Sequence, residues 1–227
     1  MSDTLHFAEH TLQEAALAFM AIVYIIRIFW LTRFKTGRER QPATGLPNTT
    51  KTKGILYSWA NIVMPWAMES TRTKWFIYSQ FVVFHLGVTA AIALSFIIPY
   101  APGVLELPSL VLAFQVIIGA AFVVSILRII RRLSDRYLRA ISSPDDYFCL
   151  ILLTVWFFFA ALAAPNNIES GEGVMLTYFI LTAFFLIYVP FSKISHYLYY
   201  PFTRYYFGKT MGYRGIYPMR HVPASRK

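Results

Sequence analysis

The sequence has few charged residues and a single cysteine. Only 14% of its 227 residues are charged, whereas a soluble domain carries about 25%. With Cys149 as the one thiol, an internal disulfide, a CxxCH haem attachment site and an iron–sulfur cluster held by this chain alone are all excluded. A P-loop, a GxGxxG motif, a metalloprotease motif and an internal repeat are also absent from the sequence. A redox metal bound by this chain must therefore be held by histidine.

Long apolar runs make up for the missing charge. Hydrophobic residues account for 57% of the chain, and five runs are each close to 20 residues long. Such a run crosses a bilayer core of about 30 Å, because a helix rises about 1.5 Å per residue. A soluble enzyme is excluded, and so is a secreted domain behind a signal peptide. The sequence predicts an all-α bundle with five transmembrane helices at about 13–34, 75–98, 109–130, 147–164 and 174–200. We expect the last of these to stay helical as far as Tyr200, where Pro201 ends it.

Acidic residues are scarce as well, at 11 against 21 Lys and Arg, which gives a formal charge of +10. Twenty of the 21 basic residues fall in the segments 33–74, 128–146 and 193–227. The segments 1–12, 99–108 and 165–173 hold none. Because cytoplasmic loops are enriched in Lys and Arg, five spans predict an outside N-terminus and a cytoplasmic C-terminus in a prokaryotic inner membrane. In a chain this apolar, the charge indicates membrane topology and not nucleic-acid binding.

The chain is predicted to form one membrane domain, residues 1–205, followed by a basic cytoplasmic tail, residues 206–227. Within the domain, residues 54–69 are apolar and contain two tryptophans, but they are too few to span the bilayer. We expect this segment to lie in the lipid interface on the inner face.

Two of the five histidines fall inside predicted spans, His85 in the second and His196 near the inner end of the fifth. Ionisable residues within a membrane indicate a functional site. Two imidazoles facing each other from different helices are the axial ligands of a b-type haem, although each can also serve as an interhelical hydrogen-bond partner. His6 and His10 have the spacing of one helix face and are interpreted as surface residues.

Further candidate haem contacts follow from the positions of these ligands. Gly87 and Gly119 can let a porphyrin approach the backbone, or they can serve as plain helix-packing sites. Lys193 and Arg204 are candidate cations for the haem propionates. Lys193 can instead act as a snorkelling anchor at the membrane surface.

With these residues identified, the chain resembles the gamma subunit of respiratory nitrate reductase and its relatives, the cytochrome b subunits of heterodisulfide-reductase-like complexes. The motif Phe84-His85-Leu86-Gly87 is similar to the sequence around the family's first haem ligand. The basic loop 131–146 is similar to the loop before its fourth helix. The closest match is Pro190-Phe191-Ser192-Lys193, then His196 and Pro201, which is similar to the pattern PFS[R/K]xxHxxxxP. The resemblance covers roughly residues 75–205.

The resemblance implies a haem b membrane subunit that exchanges electrons between the quinone pool and an iron–sulfur protein on the cytoplasmic side. In the nitrate reductase branch, two further histidines bind a second, outer haem. The matching positions in this chain are Ser95 and Tyr178, which are not plausible iron ligands. The resemblance therefore implies one haem b, held by His85 and His196.

A quinone, menaquinone or ubiquinone, is then expected to bind near this haem or toward the cytoplasmic half. Candidate pocket residues are Trp59, Trp66, Tyr197 and Tyr200, although aromatic residues at a membrane interface are also common as anchors. The sequence leaves the direction of electron flow open.

Two other functions stay open from the sequence alone. The chain can be a haem-free membrane anchor that tethers a cytoplasmic redox enzyme, or a small transporter in which the two histidines relay protons. The transporter is disfavoured, because neither an inverted repeat nor a broken helix in mid-membrane is evident. The chain is expected to be an electron-transfer subunit of a quinone-linked oxidoreductase complex and not a complete enzyme on its own.

Overall fold

The computed structural model describes residues 2–34, 37, 40–67, 69–169 and 171–219, and within these residues all regular elements are helical. The α-helices are α1 (Asp3–Glu9), α2 (Thr11–Arg33), α3 (Lys51–Ala60), α4 (Glu69–Thr73), α5 (Trp75–Tyr100), α6 (Pro108–Ser134), α7 (Arg136–Ala140), α8 (Pro144–Ala163), α9 (Gly173–Tyr188) and α10 (His196–Tyr213). Short 3₁₀ turns join several of them. The predicted all-α class is confirmed.

Five stretches are long and apolar enough to cross a membrane, which confirms the predicted number. They are Asp3–Arg33, Trp75–Tyr100, Pro108–Ser134, Pro144–Ala163 and Gly173–Phe191. Local sequence explains two of the starts. Pro108 and Pro144 each occupy the first turn of a helix, where a missing N–H costs nothing, and Ser143 with Asp146 forms a capping box on α8. Five such helices are compatible with a multi-pass membrane protein.

The fifth span ends earlier than the sequence predicted. The expected continuous helix to Tyr200 is wrong, because α9 stops at Tyr188 and two 3₁₀ turns, Val189–Phe191 and Lys193–Ser195, follow. Pro190 supplies the physical reason, since it lacks the N–H that would continue the hydrogen bonds of the helix. The helix α10 then begins at His196 and runs through Pro201, which does not end it.

Contacts divide the chain into two compact units. The first comprises the residues up to Phe29 together with Tyr78–Ser195. Its core forms where α8 packs on α6 and on α9, and where α1 packs on α9. The fully or almost fully buried side chains here are Leu94, Ile118, Ala121, Phe157, Ala160, Tyr178 and Phe179. Many large apolar side chains, such as Ile25, Leu112 and Ile180, face outward.

The second unit comprises Trp30–Ile77 and the chain from His196 onward. Its centre is the close approach of α3 to α10. A Cβ on Gly54 would overlap the backbone of Gly208, and a Cβ on Gly208 would overlap that of Gly54. Glycine is needed at both positions because only a residue without a side chain allows two helix backbones to come so near. The backbone N–H groups of Gly45 and Leu46 also donate to the carbonyls of Arg214 and Gly215.

The predicted interfacial segment 54–69 is amphipathic in the second unit. Gly54, Ser58, Asn61 and Ala67 are buried on one side, whereas Leu56, Trp59, Ile62, Val63 and Trp66 are exposed. The predicted boundary between residues 205 and 206 falls inside α10. Several basic residues assigned to cytoplasmic segments lie outside the described residues, namely Lys35, Arg38, Arg220, Arg226 and Lys227, together with His221.

Candidate functional site

His85 lies on α5 in the first unit, with its side chain half-buried. Its Nδ1 is 2.7 Å from the carbonyl oxygen of Phe81, one turn earlier in the same helix. Because a carbonyl only accepts hydrogen bonds, Nδ1 carries a proton in this contact, so that Nε2 is the ring nitrogen that could ligate a metal. A metal-ligating histidine commonly donates its other N–H in this way, which fixes the tautomer and the orientation of the ring. His85 therefore has the chemistry that an axial haem ligand requires.

Aromatic rings surround the imidazole. The ring centroids of Phe81 and Phe84 are 4.0 and 5.9 Å from that of His85. Phe84 is buried and packs edge-on against Phe157 of α8, with ring centroids 5.3 Å apart. The neighbourhood of His85 is therefore apolar, as the binding of a flat apolar cofactor requires.

One charged side chain also reaches this neighbourhood. The guanidinium carbon of Arg128, on α6, lies 4.6 Å from the ring centroid of Phe84. The sequence-based site did not include Arg128, although its place inside the apolar run 109–130 was a signal that could have identified it.

His196 is the first residue of α10 and belongs to the second unit; its side chain is exposed. It follows the 3₁₀ turn Lys193–Ser195, whose last residue is buried. The two predicted haem ligands thus lie in different units, His85 within a long helix and His196 at a helix start.

Lys193 is already engaged by a carboxylate in the first unit. Its Nζ donates to Asp146 Oδ2 and to Ser143 Oγ, each at 2.8 Å. This ion pair ties the turn before His196 to the N-terminus of α8. The predicted pairing of Lys193 with a haem propionate would have to compete with Asp146.

The two candidate glycines differ. A Cβ on Gly87 would overlap the Cβ of Ala121 on α6, so Gly87 is a helix-packing site and does not leave its backbone open. A Cβ on Gly119 would meet nothing within 4 Å. Of the two glycines, only Gly119 leaves space beside its backbone for another group.

Arg204 belongs to the packing between α3 and α10. Its Nε donates to the carbonyl of Ser58 at 2.9 Å, and its guanidinium carbon lies 5.5 Å from the ring centroid of Phe207 and 6.0 Å from that of Tyr200. The Ser58 residue that it caps is fully buried. Arg204 therefore has a structural role within the second unit.

The two positions that depart from the family pattern lie side by side. The hydroxyl of Tyr178, on α9, donates to the carbonyl of Ala91 on α5 at 2.6 Å and lies beside the Ser95 hydroxyl. Tyr178 is completely buried among Leu94, Trp156 and Phe179, which are themselves at most 3% exposed. This level of the bundle is filled by protein side chains.

An aromatic groove lies in the second unit, with a volume of about 400 Å³. Six residues line it: Thr32, Trp59, Pro201, Phe202, Tyr205 and Tyr206. The indole N–H of Trp59 donates to the carbonyl of Pro201 at 3.0 Å, which holds the ring at the groove wall. Of the four residues predicted to contact quinone, Trp59 lines this groove, whereas Trp66, Tyr197 and Tyr200 do not.

Two further histidines of the first unit, His6 and His10, pack against each other. The rings of His6 and His10 are 4.8 Å apart, and His10 packs edge-on against Tyr100. They lie on α1 and at its end, as their spacing predicted.

Fold and site together define a chain whose described regular elements are all helical, with five apolar, membrane-length helices and, within one of them, a half-buried histidine that donates from Nδ1 to its own helix. Comparison of the chain with protein-family models, with curated proteins and with solved structures finds no match.

Proposed function

We propose that this chain is the haem b membrane subunit of a respiratory oxidoreductase complex. In this role it carries electrons between the quinone pool and an iron–sulfur subunit on the cytoplasmic side. The observation that supports it most is the hydrogen bond from His85 Nδ1 to the Phe81 carbonyl, the bond that commonly orients a metal-ligating histidine. His196 is the proposed second ligand. When bound, haem supplies one-electron chemistry, and the chain supplies imidazoles, burial and nearby charge.

A single haem is proposed, and the packing at Tyr178 supports this number. A second haem of the family type would need two imidazoles where Ser95 and Tyr178 lie. The Tyr178 ring, its hydrogen bond to Ala91 and its buried aromatic neighbours occupy that level instead. The proposed electron path therefore passes through one haem only, the one held by His85 and His196.

The proposed orientation has the N-terminus outside and the C-terminus in the cytoplasm of a prokaryotic inner membrane. The distribution of Lys and Arg supports it. In the described part of the chain, the exposed side chains of Arg136 and Arg139 on α7 belong to these basic segments. A basic cytoplasmic face would attract an acidic iron–sulfur subunit.

The aromatic groove of the second unit is the proposed quinone site. Its volume of about 400 Å³ lies in the range of small-molecule sites. Trp59 and Phe202 offer faces for the quinone ring, and the hydroxyl of Tyr205 can donate to a quinone carbonyl. The ligand is menaquinone or ubiquinone.

The test is a reduced-minus-oxidised absorption spectrum of the purified protein and its variants. His85→Ala and His196→Ala are each expected to lose the spectrum of bis-histidine haem b, and imidazole added to the buffer is expected to restore part of it. His10→Ala is the matched control and should keep the full spectrum. A spectrum that survives in both His85→Ala and His196→Ala would overturn the proposed ligands.

A haem-free membrane anchor for a cytoplasmic redox enzyme is the second candidate. Two observations favour it, since Gly87 packs against Ala121 and Lys193 pairs with Asp146, so that both residues have partners within the chain. The same spectrum separates the two functions, because an anchor shows no haem even when it is purified with its partner subunits.

A further inference from the structure

Arg128 is a cation inside an apolar, membrane-length helix. It lies six residues before the end of α6, with its side chain half-buried. In the part of the chain that the structure describes, its guanidinium makes neither a hydrogen bond nor an ion pair and lies over the face of Phe84. A charge in such a place is costly and is expected to have an anionic partner.

The neighbouring arginines of the same helix do not share this position. Arg132 donates to Ser142 Oγ at 2.6 Å and lies 3.9 Å from Asp146, whereas Arg131 is exposed in the last turn. Both reach polar groups or solvent at the helix end. Arg128 lies one turn further from the end of α6, and the charges of Arg131 and Arg132 repel its guanidinium.

The position of Arg128 relative to His85 indicates which kind of anion it would bind. Phe84 lies next to His85 in sequence, and its ring contacts both the imidazole of His85 and the guanidinium of Arg128. An anion bound by Arg128 would therefore lie close to a group ligated by His85. A b-type haem carries two carboxylates on one edge, and the planar fork of an arginine matches a carboxylate.

We infer that Arg128 binds a propionate of the haem held by His85. This inference rests on the proposed function, and it assigns to Arg128 the role that was expected for Lys193 and Arg204 from the sequence. Those two cations already have partners, since Lys193 pairs with Asp146 and Arg204 donates to Ser58. The Phe84 ring holds the guanidinium in place, so the site is formed by α5 and α6 together.

The experiment combines a protein variant with a modified cofactor. The apoprotein and its Arg128→Gln, Arg128→Lys and Arg131→Gln variants are each loaded with haem or with haem dimethyl ester, whose propionates carry no charge. The rate of transfer to excess apomyoglobin is then measured. With haem, Arg128→Gln is expected to lose the cofactor about tenfold faster or more, because a charge-assisted bond is lost. Arg128→Lys should lie between it and the unchanged protein.

With the dimethyl ester, Arg128→Gln and the unchanged protein are expected to lose the cofactor at equal rates. Arg131→Gln should match the unchanged protein with both cofactors. Equal effects of Arg128→Gln on haem and on the ester would overturn the inference and assign the guanidinium to a lipid phosphate or a partner carboxylate. If Arg128→Gln does not fold, the ratio of the two rates in Arg128→Lys decides in the same way.

The two proposals fail differently. If the unchanged protein takes up neither cofactor, the proposed function is wrong. If it takes up both cofactors and Arg128→Gln changes the transfer rates of haem and of the dimethyl ester equally, only the inference is wrong.

Discussion

The hydroxyl of Tyr178 donates a 2.6 Å hydrogen bond to the carbonyl of Ala91 and thereby joins α9 to α5. The contact lies one turn from Ser95, at the level that matches the second pair of ligands in the two-haem subunits that the sequence resembles. A tyrosine that is completely buried and hydrogen-bonded fills space that an open cofactor site would need. The structure thus gives a physical reason for the single-haem proposal that the sequence could only state as two missing histidines.

A second buried hydrogen bond lies near Tyr178, and its removal should lower the free energy of unfolding measurably. Trp156 Nε1 donates to Thr182 Oγ1 at 2.8 Å. Thr182→Val would leave the indole N–H buried without an acceptor, at a cost of about 1–3 kcal/mol in the free energy of unfolding. The matched control is Thr177→Val, because Thr177 bonds only to the Gly173 carbonyl of its own helix. Unfolding in detergent measures both, and equal losses would contradict the account.

The contact between Gly87 and Ala121 predicts that one methyl group can be moved across the helix interface. Gly87→Ala alone should overpack the contact between α5 and α6, at a cost of about 1–3 kcal/mol. Adding Ala121→Gly should restore most of the stability and the haem content, because the interface then holds one methyl again. If haem is lost in Gly87→Ala and stays lost in the double variant, Gly87 contacts the porphyrin and not the neighbouring helix.

Lys193 is predicted to stabilise the fold and not the cofactor. Lys193→Gln removes the bonds to Asp146 and Ser143 and should lower the free energy of unfolding by about 1 kcal/mol or less, because Lys193 is well exposed. Its haem content should equal that of the unchanged protein. Haem loss without a change in stability would give Lys193 the propionate role that the sequence first indicated.

The orientation of the chain is tested by labelling introduced cysteines in intact cells. Cys149→Ser gives a protein without thiols, into which Asn167→Cys or Arg139→Cys is introduced at exposed positions of two opposite connecting segments. A membrane-impermeant maleimide should label Asn167→Cys directly and Arg139→Cys only after permeabilisation. The opposite pattern would invert the proposed topology.

Hydropathy was sufficient for the main elements of the fold. All five long helices follow from apolar runs, because a run of that length has few alternatives to a helix that buries its own backbone bonds. The predicted end of the fifth span was wrong because of one residue, Pro190. Pro190 lies within the apolar run, so hydropathy alone does not show that the helix ends there and not at Pro201. The end is determined by the turns that follow, in which Ser192 Oγ accepts from the Ile194 N–H. Such turns are not visible as periodicity.

The candidate site was less predictable because its contacts join distant parts of the chain. His85 stands out in sequence as an ionisable residue within an apolar run. The partners of Gly87, Lys193 and Arg128 lie between 34 and 50 residues away, and nothing local indicates them. The groove around Trp59 likewise forms only when the second turn of α10 reaches α3.

The haem content of the purified chain tests the central claim most directly. Pyridine haemochrome absorbance together with quantitative amino-acid analysis gives the number of haem groups per polypeptide. The account predicts one haem b per chain, bound without a thioether link because the chain has no CxxCH motif. A ratio of two would show that the level of Ser95 and Tyr178 also binds haem, and a ratio of zero would contradict the proposed function itself.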